Sequence, residues 1–191
     1  MRISLVLSIV LSCAAISEGA QKPIDWNNYV KNAQFDWIDG RADLFYSLQS
    51  LPSGFTVQIT YQSDNKYFFK ITFMRDGDRL LEFTGHKGTA LCVNGNVLYY
   101  TDFNRTSTGC ALVAFDLAKK KQLWKTRLKG VGGISHSRYV NSVILHPPWR
   151  GGIIVKGRES FGDYIEIVDL GSGRSLVNRL FRKDYAPIDG K

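Results

Sequence analysis

Residues 91–128 read LCVNGNVLYYTDFNRTSTGCALVAFDLAKKKQLWKTRL, a run of four short alternating segments separated by turn signals. Asn94-Gly95 supplies two neighbours that tolerate positive φ, which a two-residue hairpin turn demands, so the segments on either side should pair antiparallel. Val97, Tyr99 and Thr101 then share one face, and Leu98 and Tyr100 the other. After a loop over residues 103–109, Ala111, Val113 and Phe115 alternate with Leu112, Ala114 and Asp116. A turn at Lys119-Lys120-Lys121 leads into a last segment with Trp124, Thr126 and Leu128 inward and Lys125 and Arg127 outward. The pattern predicts an antiparallel four-stranded meander and an all-β fold.

The pattern recurs. Ala114-Phe115-Asp116-Leu117-Ala118-Lys119-Lys120-Lys121-Gln122-Leu123-Trp124 is followed further along by Ile167-Val168-Asp169-Leu170-Gly171-Ser172-Gly173-Arg174-Ser175-Leu176-Val177. Both resemble the third-to-fourth strand signature of PQQ-like β-propeller repeats, found in quinoprotein dehydrogenases and in propeller lipoproteins of outer-membrane assembly. Those repeats read Ala-x-Asp, two residues, Thr-Gly-Lys, one residue, then Leu-Trp. Asp116, Lys121 and Trp124 stand at the family's spacing, and Asp169, Ser172-Gly173 and Arg174 match in the second copy. Lys119-Lys120 replace Thr-Gly in the first copy, and Val177 takes the tryptophan's place in the second. The resemblance covers roughly residues 88–182 and implies propeller-like blades. Asp116, Asp169 and Trp124 are then structural residues of the repeat. Family quinoproteins hold their quinone and calcium at the centre of a closed ring. About three units fall short of such a ring, so the resemblance implies an incomplete propeller and carries over no cofactor.

The chain of 191 residues is 44% hydrophobic, enough for one sizeable core. Residues 1–20 read as an export signal, with Arg2, an apolar run over residues 3–11 too short to span a bilayer, and small residues Ala14, Ala15 and Ser17 before cleavage. The mature chain is therefore expected to be secreted or periplasmic. Val10-Leu11-Ser12-Cys13 offers an alternative, lipidation at Cys13. Residues 21–54 form an arm rich in aromatics, Trp26 and Trp37 among them, expected to cover an open sheet, with sugar stacking by the two tryptophans as the alternative. The arm is otherwise irregular, with a short helix over residues 43–51 ended by Pro52 and Gly54.

Residues 55–182 form the propeller-like β domain. Phe55 to Gln62 alternates apolar and polar, Tyr67, Phe69, Ile71 and Phe73 line one face of the next strand, and Asp76-Gly77 turns into residues 80–83: a first meander. The third begins at Val143-Ile144-Leu145, reads as a turn or edge over His146-Pro147-Pro148-Trp149-Arg150-Gly151-Gly152, pairs residues 153–155 with 164–170 across a loop at 156–163, and ends with residues 176–181. Residues 183–191 form a polar tail. Cys92 and Cys110 fall too far apart in this register for a disulfide and are expected as buried thiols. Asn104-Arg105-Thr106 is a glycosylation sequon in an exposed loop.

No catalytic or metal-binding constellation is legible. His86, His136 and His146 are scattered and read as surface residues, no cysteine pair suits zinc, and the glycines at 130–133 lack a following Gly-Lys-Ser/Thr. A Gly-x-Ser-x-Gly elbow is also missing. The sequence therefore points to a non-catalytic binding or scaffold module whose partner is a protein, a glycan or a second copy of the chain, with no nucleic acid expected. His136, Arg138 and Tyr139, in the glycine-flanked loop, are one candidate surface. Lys119, Lys120 and Lys121 are another: with a net charge of +8 they suit an acidic polysaccharide or anionic surface, and they equally discourage edge-to-edge strand pairing. The remaining alternative is a quinoprotein-type redox subunit whose missing blades come from oligomerisation.

Overall fold

The computed structural model describes residues 24–32, 48, 51–62, 65–86, 88–103, 109–129, 142–159 and 162–182. Within them lie one helix, α1 (Trp26–Lys31), and eleven strands in three antiparallel sheets. The first meander is β1 (Phe55–Gln62), β2 (Asn65–Arg75) and β3 (Asp78–His86). The middle one is β4 (Leu91–Asn94), β5 (Val97–Phe103), β6 (Cys110–Asp116) and β7 (Lys121–Arg127). The third is β8 (Ser142–Leu145), β9 (Gly152–Glu159), β10 (Gly162–Asp169) and β11 (Ser175–Arg182). Strand order follows chain order in every sheet. The all-β expectation holds, and the arrangement is compatible with an open, incomplete propeller.

Register follows from the turns. Gly95 has φ +57° and leaves Asn94 opposite Val97, while Asp76 (φ +49°) and Gly77 (φ +89°) leave Arg75 opposite Asp78. Because side chains alternate along each strand, the middle sheet presents two apolar faces. One carries Leu91, Leu98, Tyr100, Val113 and Phe115 against Phe69, Ile71 and Phe73 of the first meander. The other carries Cys92, Tyr99, Leu112 and Ala114 against Val143, Ile153, Val155, Tyr164 and Val168 of the third. The three sheets therefore stack as layers with the middle meander inside. Leu98, Leu112 and Val113 are at most 1% exposed, each stabilising the stack by roughly 1.5–3 kcal/mol.

The two ends of the row are finished differently. The outer face of the third meander, with Ile154, Ile165 and Ile167, is covered by Val30, Trp26 and Tyr29 of α1. This helix departs from the irregular arm that the sequence suggested. Asp25 caps it by accepting from Asn28 N at 3.1 Å, and Lys31 sits favourably in its last turn. Trp26 fits because position 152 is glycine, where a Cβ would lie 2.9 Å from Cζ2 of the indole. On the first meander, Lys70 and Arg79 pair with Glu82 at 2.9 and 2.6 Å on solvent-accessible side chains. The hydrogen bond from Lys70, aided by the Arg79 charge, holds the Glu82 carboxyl below its ordinary range against some desolvation. Such exposed pairs are screened by water and contribute little, so layer burial, not ion pairing, holds the stack.

Three other expectations need adjustment. The loop placed at residues 156–163 is mostly strand: β9 runs to Glu159 and β10 starts at Gly162. Gly157 reads as a breaker, but the Tyr164 ring lies over it so closely that a Cβ would meet Cε1 at 1.8 Å. His86 is no surface residue. It is 5% exposed between Phe68 and Phe103, both at 5.0 Å, and its Nδ1 accepts from Gly88 N at 3.0 Å. A short link, braced by Ala90 N donating to Thr101 Oγ1 at 2.8 Å, carries the chain from β3 into the middle meander and buries the imidazole at the seam. Tyr61 ends the β1 alternation 66% exposed, where the register shifts. Of the helix expected over residues 43–51, Leu48 is described and has helical backbone; the rest, save Leu51, lies outside the described residues. Cys92 and Cys110 are both buried thiols, as expected.

Candidate functional site

The two repeat corners have the same construction. Asp116 Oδ1 accepts from Lys119 N at 2.9 Å, and Asp169 Oδ1 accepts from Ser172 N at 2.8 Å. Lys120 follows Asp116 at the interval at which Gly173 follows Asp169, and both are left-handed, with φ of +51° and +71°. Hydrogen bonds to the corner hold both aspartates below the ordinary carboxylate range, from Lys119 N at Asp116 and from the Ser172 hydroxyl and N–H at Asp169. Each corner is engaged by the preceding meander. Lys120 Nζ donates to Arg79 O at 3.4 Å. Trp124 Nε1 donates to Leu170 O at 2.9 Å, and Thr126 Oγ1 donates to Gly173 O. Asp116, Asp169 and Trp124 thus sit at corners and at the seam between sheets. Glu166, wholly buried at the same seam, accepts from Lys129 N at 2.7 Å.

The lysine corner is less bare than its sequence. Lys119 pairs with Asp116 at 3.7 Å, Lys120 reaches the first meander, and Lys125 pairs with Asp102. Lys121 lies exposed at the start of β7, the outer edge of the middle sheet. The structure brings Lys119, Lys120 and Lys121 together but spends two of the three charges locally. His136, Arg138 and Tyr139 lie outside the described residues. Asn104-Arg105-Thr106 and Cys13 do as well.

A second surface forms within the turn expected over residues 146–152. Between β8 and β9 the chain reverses at Trp149-Arg150-Gly151-Gly152, with Trp149 N donating to Gly152 O at 2.9 Å and Gly152 N to Trp149 O at 3.0 Å. Arg150 (φ +46°) and Gly151 (φ +81°) are both left-handed, as a two-residue hairpin requires. Trp149 projects 44% exposed, and the Arg150 guanidinium lies 5.1 Å from its ring centroid. Trp26 and Tyr29 of α1 approach Trp149 at 5.9 and 6.0 Å and each other at 5.9 Å. Three rings and a cation from distant parts of the chain meet at one exposed corner. The local signal was an aromatic residue followed by Arg-Gly-Gly, but the helix that completes the cluster was not foreseen. Nearby, burial and the Lys156 charge hold the His146 imidazole below its ordinary range.

Among the described residues, no three His, Cys, Asp or Glu side chains gather closely enough to hold a metal ion. Among the same residues, no helix is long and apolar enough to cross a membrane. No family model matches the chain, and no curated protein is significantly similar to it.

Proposed function

We propose that this chain is an exported, non-catalytic binding or scaffold module built from PQQ-like repeats, presenting corners and hairpins to a partner outside the cytoplasm. The observation that carries this reading is the repeated aspartate corner, each copy in hydrogen-bond contact with the meander before it, the first through Lys120 and the second through Trp124 and Thr126. A corner repeated with its geometry and its neighbour contact supports a repeat architecture, and stacked repeats use their turns and edges for recognition. Among the described residues, the row carries a helix on one outer face and ion-paired polar side chains on the other, which supports a stack of this length.

The test uses the mature chain, residues 21–191, offered a panel of acidic and neutral polysaccharides and of envelope proteins, and separately pyrroloquinoline quinone with calcium. Saturable binding to a polymer or protein, with the quinone spectrum unchanged, is the expected result. A stoichiometric quinone spectral change with calcium would overturn the reading in favour of a redox subunit, and failure to bind any member of the panel would remove it altogether.

A further inference from the structure

We propose that the Trp149-Arg150 hairpin, backed by Trp26 and Tyr29, is a binding site for carboxylated sugars, the uronic acid units of an acidic polysaccharide. The proposal rests on the binding-module reading and names its partner class. Arg150 has no acidic partner among the described residues, and its guanidinium lies over the indole. A guanidinium over an aromatic ring keeps its planar fork of N–H donors, which matches the two oxygens of a carboxylate. The exposed part of Trp149 offers a flat, electron-rich surface suited to the C–H face of a pyranose ring, whose hydrogens carry slight positive charge. One cation beside one platform fits one carboxylate per sugar ring.

The corner is held ready before any partner arrives. Reciprocal backbone bonds between Trp149 and Gly152 close the hairpin, and the α1 rings pack against the indole. The chain just before the hairpin argues against an acidic peptide. Pro147 and Pro148 have no N–H to offer an added strand, so a peptide would gain little here beyond its side chains. The chain's charge of +8 favours approach of a polyanion in general, while the hairpin selects among polyanions.

The experiment is affinity electrophoresis and tryptophan fluorescence of the mature chain with polygalacturonate, its fully methyl-esterified form, and polyglutamate. Arg150→Gly is the decisive variant, because glycine suits the left-handed backbone and the hairpin is retained when the guanidinium goes. Wild-type protein should bind polygalacturonate, and Arg150→Gly and Trp149→Ala should each weaken it by about tenfold or more. Lys121→Gln, at the lysine corner, should weaken it less than about twofold, as a surface charge acting only through screened attraction does. Wild-type affinity in Arg150→Gly, equal affinity for the esterified polymer, or equal affinity for polyglutamate would each overturn the assignment. Loss through Lys121→Gln with Arg150→Gly unaffected would sink this site while leaving the module reading intact.

Discussion

The Trp124 indole lies flat on Gly173, so closely that a Cβ on the glycine would come within 2.7 Å of the ring's Cδ2. A residue of the middle meander is thereby seated on the corner of the third, and the seam depends on having no side chain there. Gly173→Ala must push the indole away and hold alanine at φ +71°, so it should destabilise by about 2–4 kcal/mol. Trp124→Ala should cost about 3–5 kcal/mol. Because both break one contact, the double variant should lose clearly less than the sum in urea unfolding. Strict additivity would show that the two residues do not act as a pair.

The equivalent position in the first copy behaves in the opposite sense. Lys120 holds a left-handed φ of +51° with its side chain exposed, a conformation costing a non-glycine residue roughly 1–2 kcal/mol. Glycine recovers that strain and gives back part of it through the freer unfolded chain. Lys120→Gly is therefore expected to raise stability by about 0.5–1 kcal/mol, read as a higher urea midpoint with unchanged slope. A fall would mean that the bond from Lys120 Nζ to Arg79 O outweighs the strain.

His146 should make stability depend on mildly acidic pH. Burial, assisted by Lys156, lowers its folded pKa below the unfolded value near 6.5, so the unfolded chain binds the proton more tightly. Its contribution is present above the unfolded pKa and is lost as pH falls through the folded one. The wild-type melting temperature should therefore drop on acidification from pH 6.5 more than that of His146→Gln. Parallel curves for the two proteins would refute the assignment.

The Cys92 thiol is pushed up to about 11 by burial between the middle and third meanders. Since only the thiolate reacts, Cys92 should resist alkylation in the native protein at pH 8 and label rapidly once urea unfolds it. The sign at high pH follows: stability conferred by the protonated thiol is intact below its unfolded pKa and is lost as pH rises through about 11. Rapid native-state labelling, followed by mass spectrometry, would show that the seam opens to solvent.

Much of the fold was legible because hairpin chemistry is local. Asp76-Gly77 announces both of its φ angles and Gly95 announces its own, although the turn pair is Gly95-Asn96, one residue on from the expected Asn94-Gly95; alternation around these turns sets which side chains point inward. The rest depended on partners far away in the chain. Gly157 looks like a breaker until Tyr164 lies over it, Lys156 to Glu159 look like a polar loop until β10 pairs with them, and His86 looks exposed until Phe68 and Phe103 close around it. Asp25 was a readable helix cap for α1, but a six-residue helix has little period of its own and is stabilised by the sheet it covers. The Trp149 corner was hidden for the same reason, since two of its three rings come from that helix.

The middle meander has no outward face, and this bears on how the chain is made and lost. Residues 91–128 leave the ribosome before their second neighbour exists, so a nascent chain halted near residue 130 would display a greasy sheet with nothing to lie against. Removing the third meander would uncover that face again, and the remaining two should precipitate instead of persisting as a soluble piece.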